Sequence, residues 1–249
     1  YIFESTHPEV SELTLVSKST ELRVETPCEA NDKGVIIELY NSTDGANWSR
    51  PWDLKNELST LEGVTSDETT GCIVKLEIDD QALNGIIPNE IGDIADLEKL
   101  LFTRNPNLAG TVPDEVSMLT KLEELVISST GINSFDASTI ESLANLKVLR
   151  LKDNQLNELP DLSGMTQLQT FEVDLNQLTF EDIIPNLDVL TSYAPQDSIG
   201  NADNPVLEVG DSYIYDLPRF DENLTNQYQW YKDGIPLTNA QNLDLINLK

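Results

Sequence analysis

The sequence predicts an α/β solenoid of short stacked strands, entered through a helical N-terminal cap and flanked at both ends by partial all-β segments. Three observations predict it. Between residues 73 and 200, apolar side chains recur in one fixed spacing about every 24 residues. Just upstream, Val35, Ile36 and Leu39 fall at helical spacing. Residues 1–27 and 201–249 instead alternate strand-like runs with turns.

Charge narrows the function before any motif is read. The 249 residues include 15 Lys+Arg against 44 Asp+Glu, a net charge of −29. A surface this negative repels phosphate backbones and anionic headgroups, so neither nucleic acid nor a membrane surface is an expected partner. A hydrophobic fraction of 39% is that of folded protein. No apolar run is long enough to insert into a bilayer, and no basic-then-apolar leader opens the chain, which reads as part of something longer.

Cys28 and Cys72 are too few for a cysteine-only zinc site. A disulfide between them closes a loop of about 45 residues, stabilises by roughly 4 kcal/mol, and points to an oxidising, extracytoplasmic compartment. Two buried free thiols are the alternative. His7 is the single histidine and stands beside Pro8, away from any nucleophile or ligand pattern, which leaves imidazole chemistry little to work with.

The repeat units run Ile73, Leu76, Ile78, Leu83; Leu97, Leu100, Phe102, Leu108; Leu122, Leu125, Ile127, Ile132; Leu146, Leu149, Leu151, Leu156; and Leu168, Phe171, Val173, Leu178. A decayed unit begins at Leu187 and Leu190. The spacing describes a strand whose alternate side chains enter a core, followed by a sharp bend that returns the chain onto the preceding coil. The bend favours Asn, whose amide satisfies backbone groups otherwise buried unpaired. Asn105, Asn154 and Asn176 stand there, with Thr130 and Gln81 as substitutes.

On these residues the middle of the chain resembles an extracellular leucine-rich repeat solenoid. Leu83-Asn84-Gly85-Ile86-Ile87-Pro88-Asn89-Glu90-Ile91-Gly92 and Leu108-Ala109-Gly110-Thr111-Val112-Pro113-Asp114-Glu115-Val116 resemble the L-x-G-x-I-P segment of plant-type repeats, also found in surface proteins of Bacteroidetes-like bacteria. Later units abandon that segment, so the convex side should change character along the solenoid. Residues 28–72, with the Asn41–Trp48 turn run and Trp52, resemble the cap that precedes such repeats in bacterial surface proteins. Trp48 and Trp52 read as core of that cap rather than as a sugar platform.

The ends resemble pieces of an immunoglobulin-like sandwich. Val206–Leu217 reads as two short strands joined at Gly210-Asp211, and Trp230 stands where such a sandwich places its core tryptophan. Tyr1-Ile2-Phe3 with Leu13–Val16 resembles a closing hairpin, Tyr1 at the tyrosine corner and Phe3 at the second core cysteine position. Strands 1–25 of one molecule would then complete residues 203–249 of another, giving copies of the chain as one class of partner.

No phosphate loop, nucleophile elbow or metal motif appears, so no enzyme and no cofactor is expected; adjacent acids such as Asp79-Asp80 lack calcium-ligand spacing. Binding is better grounded. Outward positions of successive strands form a grid on one concave face. Leu101, Val126 and Val148 gather there beside Arg104, Arg150 and Lys152, with Lys99, Thr103, Ser128 and Glu172 around them. Apolar anchors with a charged rim suit a protein or glycan ligand, although β-branched residues also suit exposed strand positions for their own sake. The expected role is a non-catalytic extracellular or cell-surface recognition and adhesion module. A structural spacer or filament subunit and an accessory domain of a secreted enzyme are the alternatives.

Overall fold

The computed structural model describes residues 26–197 and, on either side of them, the backbone of several short strands. Near the start, β1 (Glu4–His7) and β2 (Val10–Val16) pair antiparallel. Helix α1 (Pro27–Ser42) follows. It starts earlier than apolar spacing alone indicates, because Thr26 caps it: the threonine hydroxyl accepts from Glu29 N at 3.1 Å and proline occupies the first turn. Its Val35, Ile36 and Leu39 are buried in the same apolar cluster as the first repeat.

Trp48 and Trp52 complete that cluster with Tyr40. The two indole centroids lie 4.7 Å apart, edge to face. Each indole N–H has a carbonyl partner, Thr43 O at 2.9 Å and Glu62 O at 3.0 Å. Both rings are therefore core, as their place in the sequence predicts.

The main sheet begins with β3 (Val64–Ser66), antiparallel to β4 (Ile73–Asp79). Beyond β4 every pairing is parallel. The further strands are β5 (Asn84–Ile86), β6 (Lys99–Thr111), β7 (Glu124–Ser134), β8 (Val148–Arg150) and β9 (Thr170–Glu172). The register sets Leu76, Leu100, Leu125, Leu149 and Phe171 side by side. All five are 0% exposed. Stacking one apolar side chain per coil on its counterpart is what builds a continuous interior from units too small to bury their own.

The L-x-G-x-I-P segments add a second ladder, in which β5 pairs with the Asn107–Ala109 part of β6. Gly85 there has φ 140°, and a Cβ would run into the Ser42 carbonyl at the end of α1. The convex side changes along the chain as expected. Single 3-10 turns at Asn89–Asp93 and Asp114–Met118 give way to α2 (Ala137–Glu141) and α3 (Phe180–Ile183).

The last unit differs from its predicted form. Leu187 is 46% exposed and Leu190 only partly buried, whereas Asn186 and Val189 are the buried residues. The coil is closed by residues 191–197, where Ser192 bridges Glu172 and Gln196 occupies the ladder position.

Past the solenoid, β10 (Ile214–Tyr215) pairs antiparallel with β13 (Leu243–Asp244), and β11 (Trp230–Lys232) forms a hairpin with β12 (Ile235–Leu237). Among the described residues these pairs and β1–β2 are separate two-stranded sheets. The expected strand at Val206–Val209, and the positions assigned to Tyr1 and Phe3, lie outside the described residues. Among the described residues no helix is long and apolar enough to cross a membrane.

Candidate binding face

Each strand presents alternate residues away from the core. The β7 register then fixes their neighbours: Lys99, Glu124, Val148 and Thr170 form one row across the sheet, and Leu101, Val126, Arg150 and Glu172 the next. Thr103 and Ser128 stand side by side in a third. Leu101 and Val126 are thus direct neighbours, and Val148 lies diagonal to Val126, within reach for side chains on one face. Val126 is only 6% exposed. It forms the floor between half-buried Leu101 and Val148.

The cations are not a free basic rim. Lys99 pairs with Glu124 at 3.1 Å; Arg150 bridges Glu124 at 3.6 Å and Glu172 at 3.1 Å; Lys152 pairs with Asp174 at 2.7 Å. Arg104 grips Asp79 with two guanidinium nitrogens, Nε at 2.8 Å, while Thr103 donates to the same carboxylate at 2.6 Å. Lys75 pairs with Glu77 at 2.6 Å. Five cations therefore meet five carboxylates, and the face is electrically balanced on a chain of net charge −29. The pairing moves the charges of these groups in the expected directions. The Arg104 hydrogen bond holds the Asp79 carboxyl below the usual range, and the Asp174 hydrogen bond raises the Lys152 ammonium. Occupied in this way, the Asp79 carboxylate has few lone pairs left for a further cation.

A ladder of amides holds the strand ends in place. Asn105 Oδ1 accepts from the backbone of Gln81 and Leu83 at 3.0 and 3.1 Å, and its Nδ2 donates to Ile78 O and Thr103 O. Asn154 serves Thr130, Ile127 and Leu151, and Asn176 serves Leu156, Leu151 and Val173. Gln81 substitutes as its position predicts, accepting from Arg50 N, whereas the Thr130 hydroxyl donates to the Asn154 side chain and accepts from Ile132 N of its own coil.

The residue before each ladder position is left-handed: Asp80, Arg104, Ser129, Asp153 and Leu175 have φ between 51° and 57°. This ridge runs along the bends that follow the outward-facing stretch of each strand. It contains a shallow groove of about 300 Å³ lined by Arg104, Pro106, Ser129, Thr130 and Asp153. Ser129 and Asp153 are absent from the sequence-predicted set. Their signal was positional, each standing one residue before a ladder residue. Cys28 and Cys72 form a disulfide with Cα atoms 5.4 Å apart, tying α1 to the start of β4. Nearby, the Asp32 carboxylate accepts from Ile73 N at 2.7 Å.

Parallel coils with buried leucines, an amide ladder and an outward strand face are the architecture of a leucine-rich repeat solenoid, and solved structures share that fold. Residues 120–178 match the family model described as leucine rich repeat. A polygalacturonase inhibitor of Vitis vinifera is 30% identical over 103 residues, 41% of this chain and 31% of the relative. A crystal structure of a plant ice-binding protein superposes with a TM-score of 0.54 at 28% identity, covering 61% of this chain and 49% of that one. The BIR2 ectodomain of Arabidopsis thaliana gives 0.51 at 26% identity, covering 59% of this chain and 81% of its own. The chain spans about a third of the length of the inhibitor it matches. The repeats are thus similar to those of these plant proteins, and the expectation of a bacterial surface type draws no support from them. The chain is extracellular or displayed at a cell surface, in keeping with such relatives and with its disulfide.

Proposed function

We propose that the chain is a non-catalytic recognition module that holds a protein partner, or a glycan, on its strand face, in an adhesive or receptor-like setting. The observation that carries this reading is the strand face itself. It joins an apolar centre at Leu101, Val126 and Val148 to a rim whose charges already neutralise one another. Binding there covers apolar surface without stripping water from an unpartnered charge, the costliest step in forming an interface. The inhibitor and ectodomain relatives support a protein partner over a glycan. Residues 28–72 serve as the cap and 73–200 as the solenoid.

The test is a double variant, Leu101→Glu with Arg150→Glu, compared with the parent on arrays of secreted proteins and of glycans. The reading expects ligands of the parent to be lost from the variant while its fold is kept. Full retention would contradict it.

A second reading, a spacer or filament subunit, is favoured by the separate two-stranded pairings at both ends. Such ribbons are marginal alone and gain from further strands. Sandwich halves in residues 1–27 and 201–249 would supply those strands between molecules. Sedimentation at rising concentration tests it: association that disappears on deleting residues 1–25 supports it, and a monomer throughout removes it.

A further inference from the structure

Resting on the strand-face reading above, we infer that the partner is a basic protein segment that places an apolar side chain on Leu101, Val126 and Val148 and a Lys or Arg in the ridge groove against Asp153. The groove holds two charged residues of opposite sign. Arg104 is already committed to Asp79 through two guanidinium nitrogens. The ammonium of Lys152, next in sequence to Asp153, is held by Asp174 at 2.7 Å. Among the described residues, the exposed Asp153 carboxylate is therefore the charge in the groove left without an ion-pair partner.

The surroundings point the same way. Asp80 repeats the position of Asp153 on the same ridge, and Glu98 is exposed at the opposite strand ends. A net charge of −29 draws cationic partners toward the molecule and repels acidic ones, while the balanced face does not oppose docking. Spacing sharpens the proposal. From Val126 to Ser129 along β7 is three residues, about 10 Å of strand. An extended ligand covers that distance with its apolar anchor and basic residue about three positions apart.

The experiment is selection of a phage-displayed random linear peptide library on the parent chain. Binding of the enriched peptides is then measured on Asp153→Asn and Leu101→Gln variants whose thermal unfolding matches the parent. Asn accepts the left-handed backbone at 153, so that variant changes only the charge. The expected result is enrichment of an apolar residue followed about three positions on by Lys or Arg, with affinity falling about tenfold or more in each variant. Peptides that lose affinity in Leu101→Gln but not in Asp153→Asn, or that show no basic enrichment, would overturn the inference and leave the strand-face reading standing. Peptides indifferent to Leu101→Gln would sink both, and failure to enrich any peptide counts against the inference.

Discussion

Gln196 does for Asn176 what Asn105 does for Gln81. Its Oε1 accepts from the backbone of Asn176 and Leu178, both at 3.2 Å, and its Nε2 donates to Val173 O at 3.0 Å. The corresponding partners of Asn105 are Gln81, Leu83 and Ile78. A side chain one methylene longer thus carries the ladder onto the final coil.

The ladder should dominate stability. Asn105→Ala takes the amide away from the Gln81 and Leu83 N–H groups and from Ile78 O, while Thr103 O keeps the Asp80 N–H, at about 1–3 kcal/mol for each group left unsatisfied. Urea unfolding should show a loss of about 3 kcal/mol or more. Gln196→Ala, at a half-buried edge, should lose about 1–2 kcal/mol.

Backbone strain gives predictions of opposite sign. Gly85→Ala forces a Cβ into the Ser42 carbonyl at a positive φ and should destabilise by about 2 kcal/mol or more. Ser129→Gly, at φ 55°, relieves a left-handed conformation that costs a non-glycine residue about 1 kcal/mol. Its unfolding midpoint should be unchanged or higher.

Replacing Cys28 and Cys72 by serine opens a loop with 44 residues of separation. The expected loss is about 4 kcal/mol. Hydrogen exchange should locate it first in α1, whose polar ties to the solenoid include this bond, the Asp32 contact to Ile73 and the Asn31 contact to Asp93, beside the apolar packing of Val35, Ile36 and Leu39.

Two carboxylates give opposite pH dependences. The folded-state pKa of Asp79 is depressed by Arg104, so its contribution is present above the ordinary value near 3.8 and lost as pH falls through the depressed one. That of Asp32 is raised by burial, so its contribution is greatest below 3.8 and disappears as pH rises through the folded value. Stability curves from pH 2 to 6 should therefore lose part of their acid limb in Asp79→Asn. Asp32→Asn should gain relative to the parent toward pH 6.

The interior was legible in the sequence because each repeat states its own phase. Leu100, Leu125 and Leu149 sit in equivalent places, and Asn at the bend has one physical use. The start of α1 was not read from the sequence, because apolar spacing places it later than the Thr26 cap and Pro27 set it. The rim was not. Lys99 meets Glu124 and Arg150 meets Glu172 only through strand register, so residues more than twenty positions apart turn an apparently basic patch into a balanced one. Gln196 was hidden because the last coil lacks the leucines that mark the others, with Leu187 turned to solvent.

The most direct test of the strand face as the binding surface is hydroxyl-radical footprinting of the chain with a bound peptide or protein ligand. Leu101 and Val148 should lose labelling on binding, while Met118 and Ile86, which are 48% and 57% exposed on other surfaces of the coils, should keep theirs. Protection of Met118 and Ile86 with Leu101 unchanged would contradict the account.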